Sequence, residues 1–247
     1  MTDFSNTPVT IIGASRGLGR TLVQTFHELG AQVLAVARGQ KGLDALTKDF
    51  PGIATLALDA AAPDAPARVF AKQTPRVLIL CGGTVPPCAP LPEMSWEDFS
   101  ANWNADTRMS FQFLQAALKA PLPAGATVLT VTSGAMLNGS PISGGYAGAK
   151  KMQHFLSGYA QKEAGRAGLD LRFLTLSPAR LIPGTDVGNI AVSSYSKYNG
   201  TTEAEFLAAM GPKLTTQNAA DAVLGLLKDA SPGGNFAVSL DGVTALA

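Results

Sequence analysis

The sequence is poor in the residues that build metal sites, disulfide frameworks and charged binding surfaces. Its 247 residues include two cysteines and two histidines. Cys81 and Cys88 do not form a Cys-x-x-Cys motif, and His27 lies far from His154 in the chain, so no metal site is predicted. Charged residues make up only 15% of the chain, and the formal net charge is +1. A nucleic-acid partner is therefore not expected, because it requires a basic patch.

Long apolar runs and a leader are also missing. No uninterrupted apolar run reaches the roughly 20 residues that cross a bilayer, so no membrane partner is expected. The first residues, MTDFSNTP, lack a basic region followed by an apolar stretch, so no secretory signal is expected. These absences predict a reduced, cytoplasmic protein. The hydrophobic content of 46% predicts a well-buried globular core.

Short β-rich runs alternate with helical patterns along the whole chain. Most of the β-rich runs are continuously apolar, as in strands that are covered on both faces. The alternation predicts an α/β fold with a doubly wound parallel sheet, helices on both faces and right-handed crossovers. The predicted strands are Val9–Ile12, Gln32–Ala37, Ala54–Leu58, Val77–Leu80, Thr127–Thr132, Leu171–Leu176 and Phe236–Leu240. The predicted helices are Leu18–Leu29, Leu43–Phe50, Pro66–Gln73, Phe99–Lys119, Tyr146–Arg166 and Gln217–Lys228.

Two segments interrupt this alternation. Gly82–Pro92 is rich in glycine and proline, and residues 182–213 show no clear periodicity. Ligands of open α/β sheets bind beyond the carboxyl ends of the strands, and long loops there are usually functional. We interpret residues 182–213 as a substrate loop that can act as a lid. No linker is visible, so residues 1–247 are predicted to form a single dinucleotide-binding and catalytic domain.

A glycine-rich turn follows the first predicted strand. Gly13, Gly17 and Gly19 stand in the segment GASRGLG. Glycines let the backbone approach a pyrophosphate, and the next helix directs its dipole and free N–H groups at the anion. Such a motif alone also serves ordinary turns. The strand before it and the amphipathic helix after it indicate a dinucleotide site.

The end of the second strand favours NADP(H) over NAD(H). An NAD site usually places an acid there for the ribose 2′-hydroxyl, whereas this chain has Arg38 and no acid before Asp44. Arg38 and Arg16 can bind a 2′-phosphate, and Ser15 can add a hydroxyl donor. The alternative is that both arginines are solvated surface residues. Asp59, after the third strand, can reach the adenine amino group or can simply cap a turn.

Tyr146, Lys150 and Ser133 are the candidate reaction centre. Reduction of a ketone by hydride needs a proton donor at the carbonyl oxygen and a group that polarises it. Tyr146 suits the donor role, and Lys150 at i+4 shares its helix face and favours the tyrosinate electrostatically. Ser133 ends a strand where it can hydrogen-bond the substrate oxygen. A tyrosine four residues before a lysine arises easily by chance. This pair indicates a reaction centre only because it occurs together with the glycine turn.

As a set, these motifs resemble the short-chain dehydrogenase/reductase family. The resemblance rests on GASRGLG, on LD after the third strand, on Ser133, on YAGAK from Tyr146 to Lys150, and on the closing SLDGV. It implies a single-domain Rossmann fold with a seven-stranded sheet, and Ser133, Tyr146 and Lys150 as the catalytic group. It also implies a homodimer or homotetramer with the Phe99–Lys119 and Tyr146–Arg166 helices at an interface.

Three departures from the family pattern stand out. The usual Asn-Asn-Ala-Gly after the fourth strand reads Leu80-Cys81-Gly82-Gly83 here, and the usual Pro-Gly after the sixth strand is Pro178-Ala179. The family's helix-kink asparagine aligns best with Asp106, with Asn104 as the competing position. In the family that residue helps to hold a water near the lysine largely through its backbone carbonyl. A carboxylate there tends to keep Lys150 charged.

Arg180 follows the altered Pro-Ala pair. The family resemblance places it beside the nicotinamide and the substrate. Our hypothesis is that it binds an anionic substrate group or pairs with an acidic neighbour such as Asp106. The alternative is an arginine that points outward into water. Tyr195 and Tyr198, in the predicted substrate loop, either cover an apolar substrate or are ordinary loop aromatics.

These motifs predict an NADPH-dependent oxidoreductase that reversibly reduces a small-molecule ketone to an alcohol. The alternative is a non-catalytic dinucleotide-binding protein of regulation or assembly. The predicted catalytic residues are Ser133, Tyr146, Lys150 and Asp106, and the predicted substrate contacts are Ser133, Arg180 and Tyr195. The predicted NADP(H) contacts are Gly13, Ser15, Arg16, Gly17, Leu18, Gly19, Arg38, Asp59, Ala60, Gly82, Tyr146, Lys150 and Ile182.

Overall fold

The computed structural model describes residues 3–229 and 233–246, in which eight strands and ten α-helices alternate. The strands are β1 (Pro8–Ile12), β2 (Gln32–Ala37), β3 (Ala54–Ala57), β4 (Val77–Leu80), β5 (Ala126–Val131), β6 (Leu171–Pro178), β7 (Gly234–Ser239) and β8 (Gly242–Leu246). The helices are α1 (Gly17–Glu28), α2 (Gln40–Asp49), α3 (Ala65–Lys72), α4 (Trp96–Asn102), α5 (Arg108–Lys119), α6 (Ala135–Asn138), α7 (Gly144–Arg166), α8 (Asp186–Asn199), α9 (Glu203–Ala209) and α10 (Thr216–Lys228).

All strands belong to one sheet with the order β3-β2-β1-β4-β5-β6-β7-β8. Strands β1 to β7 pair in parallel, and β8 pairs antiparallel with β7. The predicted seven parallel strands are thus confirmed, and an eighth strand extends them. The sequence did not reveal β8 because most of its side chains are exposed, so it carries no buried apolar run.

Two apolar cores cover the two faces of the sheet. On one face, Leu22 and Phe26 of α1 pack with Val223 of α10. On the other face, Val69 of α3 packs with Phe113 of α5. The central strands contribute to both cores, which explains why they read as unbroken apolar runs. The predicted doubly wound arrangement is confirmed.

Two predicted elements have a different form. The single helix predicted over Phe99–Lys119 is divided into α4, a π-helical turn at Trp103–Thr107, and α5. Residues 182–213, predicted as a loop, contain α8 and α9. Both of these helices begin with a threonine cap, at Thr185 and Thr202. Polar residues interrupt the apolar pattern of α8, and the seven residues of α9 are too few to show the helical period on which the prediction relied.

One property concerns membranes. Within residues 3–229 and 233–246, no helix combines the length and the apolar character that a bilayer span requires.

Candidate active site

A cavity of about 1140 Å³ runs along the carboxyl ends of the parallel strands. Its floor includes the residues that follow β1, β4, β5 and β6. The strand order reverses between β1 and β4, and open α/β sheets bind ligands at such a switch point. The predicted cofactor and catalytic residues line this cavity: Gly13, Ser15, Arg16, Gly17, Leu18, Gly19, Arg38, Asp59, Ala60, Gly82, Asp106, Ser133, Tyr146, Lys150, Arg180, Ile182 and Tyr195.

Two glycines of the turn between β1 and α1, Gly13 and Gly19, have no room for side chains. Gly13 has φ of 85°, and a Cβ atom there would lie 2.5 Å from the Cα of Gly82. A Cβ atom on Gly19 would lie 2.1 Å from the carbonyl oxygen of Gly13. The N-cap residue Arg16 makes no side-chain capping hydrogen bond. The turn therefore presents bare backbone and the N-terminus of α1 to the cavity, which suits an anion.

The cavity continues past β2 and β3, where Arg38 and Asp59 differ in the partners that they contact. Arg38 is exposed and forms no ion pair with any residue that the structure describes. The Asp59 carboxylate accepts a hydrogen bond from the backbone N–H of Ala61 at 3.0 Å. Asp59 thus caps a turn, as the alternative interpretation has it, and still faces the cavity.

Tyr146 and Lys150 stand one turn apart on α7, and Ser133 follows β5. The Nζ atom of Lys150 lies 5.4 Å from the centre of the Tyr146 ring. The Ser133 hydroxyl accepts a hydrogen bond from the backbone N–H of Ala135 at 3.2 Å and leaves its own proton free for another partner. A Cβ atom on Gly145 would lie 1.9 Å from a backbone oxygen of α4. This close contact fixes the start of the helix that carries the tyrosine and the lysine.

Asp106 is buried beneath Lys150. Its Oδ2 atom lies 3.1 Å from the Nζ atom of Lys150 and accepts a hydrogen bond from Asn102 Nδ2 at 3.3 Å. Its Oδ1 atom accepts a hydrogen bond from the backbone N–H of Thr84 at 2.8 Å. A Cβ atom on Gly83 would lie 2.9 Å from Oδ2, so only glycine leaves room for the carboxylate. Three donors thus satisfy a carboxylate that is 1% exposed.

The electrostatics of the site keep Lys150 charged. Burial by itself lowers the pKa of Lys150, but attraction to Asp106 and Tyr146 and the hydrogen bond to Asp106 outweigh it and raise the pKa above its ordinary value of 10.5. Burial also raises the pKa of the neighbouring Cys81 thiol to about 11, although Lys150 opposes that shift. Cys81 is therefore a neutral thiol near pH 7, and Asp106 supplies the balancing negative charge.

The π-helical turn orients Asp106 with help from α7. The backbone carbonyl of Asp106 accepts a hydrogen bond from Gln153 Nε2 at 3.0 Å, and the same nitrogen donates to the hydroxyl of Ser110 at 2.7 Å. The carboxylate, and not the carbonyl, therefore contacts Lys150, which differs from the family behaviour expected from the sequence. Asn104, the competing position, is exposed and lies 3.4 Å from a hydroxyl of α4.

Gln153 was not predicted. It lies three residues after Lys150 on α7 and is completely buried. The signal in the sequence is its position one helical turn after Lys150, on the face of α7 that also buries Ala149 and Ala160. Asn102 and Thr84 were also missed, because their contacts depend on how the end of α4 meets the loop after β4.

The predicted pairing of Arg180 with Asp106 is wrong. Donors from other residues already occupy both oxygens of Asp106. The exposed Arg180 side chain turns to the segment after α9, where its Nη1 atom donates to the carbonyls of Met210 at 3.1 Å and Pro212 at 3.5 Å. Arg180 still lines the cavity, and its contacts tie the end of β6 to residues 210–212.

Helices α8 and α9 form an aromatic wall over one end of the cavity. The rings of Tyr195 and Phe206 stack at 6.0 Å between their centres, and both line the cavity. The Tyr195 hydroxyl lies 2.5 Å from the Ser140 hydroxyl, which also accepts a hydrogen bond from the Ser143 hydroxyl at 2.7 Å. The wall is thereby fixed to the residues just before α7. Tyr198 is 51% exposed and is not among the residues that line the cavity.

Arg16 makes an ion pair that the sequence did not predict. Its Nη1 atom lies 2.6 Å from an oxygen of Asp186, in the first turn of α8. Both side chains are partly exposed, at 62% for Arg16 and 45% for Asp186. The Arg16 side chain is thus held by the first residue of α8, the helix whose Tyr195 also lines the cavity.

Comparisons with known proteins agree with this architecture. A family model described as short chain dehydrogenase matches residues 7–180. L-xylulose reductase of Bos taurus is 26% identical over 223 residues, which cover 90% of this chain and 88% of that protein. Carbonyl reductase (NADPH) 2 of Sus scrofa is 28% identical over 133 residues, which cover 53% of this chain and 54% of that protein.

A solved structure shows the same fold. The crystal structure of levodione reductase superposes with a TM-score of 0.80 at 21% identity and covers 92% of each chain. The family resemblance of the sequence is thereby confirmed. On the match to residues 7–180, the chain belongs to the short chain dehydrogenase family.

Proposed function

We propose that this protein is an NADPH-dependent oxidoreductase that reversibly reduces a small-molecule ketone to an alcohol. The observation that carries the proposal is one cavity that holds the bare glycine turn at one end and Tyr146, Lys150 and Ser133 at the other. The similarity to an L-xylulose reductase and to a carbonyl reductase supports a carbonyl compound as the hydride acceptor.

The residues at the glycine turn fit a nicotinamide dinucleotide. The turn at Gly13 and Gly19 leaves no space for a Cβ atom, and α1 directs its N-terminus into the cavity, so these residues would hold the pyrophosphate. Arg38, which is exposed and has no ion-pair partner among the described residues, would bind a 2′-phosphate. Asp59, Ala60 and Ile182 would contact the remaining groups. When bound, the cofactor supplies the hydride.

The side chains of this protein would then deliver a proton to the substrate oxygen. Tyr146 donates its phenolic proton to the substrate oxygen, and Ser133 donates a hydrogen bond to the same oxygen. The ammonium group of Lys150 stabilises the negative phenolate that remains on Tyr146. Asp106 balances the charge on Lys150 and holds the ammonium group in place at 3.1 Å. We assign Asp106 a positioning role, since it contacts neither substrate nor cofactor in this scheme.

The substrate end of the cavity supports a carbonyl compound with an apolar or ring-bearing part. Tyr195, Phe206 and Met210 line that end. Arg180 donates to backbone carbonyls through one nitrogen, and its other donors are available to a polar or anionic substrate group. Imines and activated C=C bonds are alternative hydride acceptors for the same residues.

A substrate screen tests the proposal. Oxidation of NADPH is followed with a panel of ketoses, aromatic ketones, acyl thioesters, quinones and imines. We expect turnover with at least one ketone, and slower turnover with NADH in place of NADPH. A protein that binds NADPH but is inert across the panel would favour the alternative of a non-catalytic dinucleotide-binding protein.

Arg38→Ala is expected to weaken NADPH binding roughly 10- to 100-fold, the effect of one charge-assisted hydrogen bond. Binding of NADH is expected to stay unchanged, because NADH has no 2′-phosphate. Fluorescence titration of both cofactors measures the two dissociation constants. Arg68→Ala is the matched control, since Arg68 is exposed on α3 and does not line the cavity. Equal weakening of both cofactors would contradict the assignment.

We also propose a homodimer or homotetramer in the cytoplasm, formed through α5 and α7. Exposed aromatic rings on these helices support this surface: Phe111 is 48% exposed, Phe155 is 41% exposed and Tyr159 is 55% exposed. Such rings are enriched at protein interfaces. We expect light scattering to give at least twice the chain mass, and Phe155→Glu/Tyr159→Glu to lower it. A wild-type protein with the mass of one chain would contradict this.

A further inference from the structure

We propose that Asp186 sets the affinity and selectivity for NADPH by competing with the 2′-phosphate of the cofactor for Arg16. The inference rests on the proposed function, because it takes NADP(H) as the cofactor. It assigns a specificity-determining role to an acid that lies outside the glycine turn.

The geometry of the ion pair carries the first step. Arg16 lies inside the glycine turn, one residue before α1, and Asp186 lies in the first turn of α8. Their closest atoms are 2.6 Å apart, which is a charge-assisted hydrogen bond. The two side chains come from segments far apart in the chain that meet beside the glycine turn, and both line the cavity. The contact therefore lies on the wall of the space that a dinucleotide must enter.

The position of Asp186 is set by the backbone around it. Thr185 caps α8 by accepting a hydrogen bond from the N–H of Gly188 at 3.0 Å, and its own hydroxyl donates to the carbonyl of Ile182 at 2.8 Å. The Thr185 methyl group lies 3.5 Å from the place of a Cβ atom on Gly17. The start of α8 is thus seated against the glycine turn, so Asp186 is presented to Arg16 by a fixed framework.

The charges in the cavity make Asp186 the relevant competitor. Three aspartates line the cavity. Asp106 is neutralised by Lys150, and Asp59 accepts the N–H of Ala61 beyond β3. Asp186 is the one whose partner is Arg16, a residue predicted to bind the 2′-phosphate. The Arg16 nitrogen that is bonded to Asp186 is not available to a phosphate at the same time, and the ion pair fixes the direction in which the other guanidinium donors point, so a phosphate must break or reorient it.

The competition lowers the apparent affinity for NADPH in proportion to the time that Arg16 spends on Asp186. Exposed ion pairs are weak, so Arg16 exchanges readily, and the expected effect is roughly two- to fivefold. NADH has no 2′-phosphate and does not need Arg16. Asp186 therefore reduces the preference for NADPH over NADH, and its removal increases that preference.

Asp186→Asn tests the inference, because asparagine keeps the shape and removes the charge. We expect the dissociation constant of NADPH to fall roughly two- to fivefold and that of NADH to stay the same, both measured by fluorescence titration at low ionic strength. Asp221→Asn is the matched control: Asp221 is an exposed aspartate on α10 that accepts a side-chain hydrogen bond and lies outside the cavity. An unchanged NADPH constant in Asp186→Asn would overturn the inference.

A double-mutant cycle separates competition from plain repulsion. In an Arg16→Met background, the further change Asp186→Asn is expected to leave NADPH affinity unchanged. If that change strengthened NADPH and NADH binding equally, with or without Arg16, Asp186 would act by repelling the pyrophosphate, and the inference would fail.

The measurements distinguish a wrong role for Asp186 from a wrong assignment of NADP(H) as the cofactor. A wild-type protein that binds NADH at least as tightly as NADPH refutes both. A wild type that prefers NADPH, together with an Asp186→Asn variant whose preference is the same, refutes the role of Asp186 alone.

Discussion

Tyr146→Phe is expected to lower kcat by about 10²- to 10⁴-fold, the contribution of a positioned general acid. The substitution removes only the phenolic oxygen and keeps the ring that lies 5.4 Å from the Lys150 ammonium group. Binding of NADPH should therefore persist. Steady-state oxidation of NADPH gives kcat, and fluorescence titration gives the dissociation constant.

Tyr159→Phe is the matched control, because Tyr159 lies on the same helix with 55% of its surface exposed and outside the cavity. It should retain the kcat of the wild type. Full turnover in Tyr146→Phe would show that Tyr146 is not the proton donor. Loss of both turnover and NADPH binding would instead indicate damage to the fold.

Asp106→Asn is expected to lower the free energy of unfolding by about 3–5 kcal/mol, the cost of breaking a buried ion pair from one side. The carboxylate accepts hydrogen bonds from Lys150, Asn102 and the backbone of Thr84. An amide has a single acceptor oxygen, so at least one of these donors would face an NH₂ group. Urea unfolding measures the change, and kcat should fall as well, because Lys150 loses its anchor.

A double-mutant cycle that combines Asp106→Asn with Lys150→Met isolates the interaction energy of the ion pair. Each single change leaves one buried charge without its partner, whereas the double variant Asp106→Asn/Lys150→Met removes both charges. The double variant should therefore lose less stability than the sum of the two single variants. Simple addition of the two losses would mean that the ion pair is not what stabilises this part of the fold.

The stabilisation by the pair should also depend on pH. The pKa of Lys150 in the folded protein lies above its ordinary value of 10.5, because attraction to Asp106 and Tyr146 outweighs the lowering by burial. A raised folded-state pKa gives stability that is fully present below about pH 10.5 and is lost as the pH rises through the folded value. The stability difference between the wild type and the double variant should be constant near pH 7 and shrink in alkali.

The fold was readable from the sequence because its central parallel strands are buried on both faces. Mostly apolar β-rich runs marked β1 to β7, and the glycine turn marked the start of α1. Strand β8 escaped because its side chains are exposed. Helices α8 and α9 escaped because polar residues interrupt the apolar pattern of α8, α9 has only seven residues, and side-chain capping bonds define where both begin.

The site was readable only where local spacing sets it. Tyr146 and Lys150 share a helix face by their separation alone. The contact of Asp106 with Lys150 required the π-helical turn, which no spacing rule predicts. Arg180 and Arg16 both line the cavity, but their partners lie on segments far away in the chain. Pairing across the cavity depends on how loops meet, and a single sequence carries little information about that.

The bare Cα atom of Gly83 has a consequence for how this sequence can change. A methyl group there would lie 2.9 Å from the Asp106 carboxylate. Alanine, the mildest of all replacements, would therefore push the carboxylate away from Lys150. Gly83 can thus be replaced without loss only if Asp106 has changed first, so the order in which these two positions can mutate is restricted.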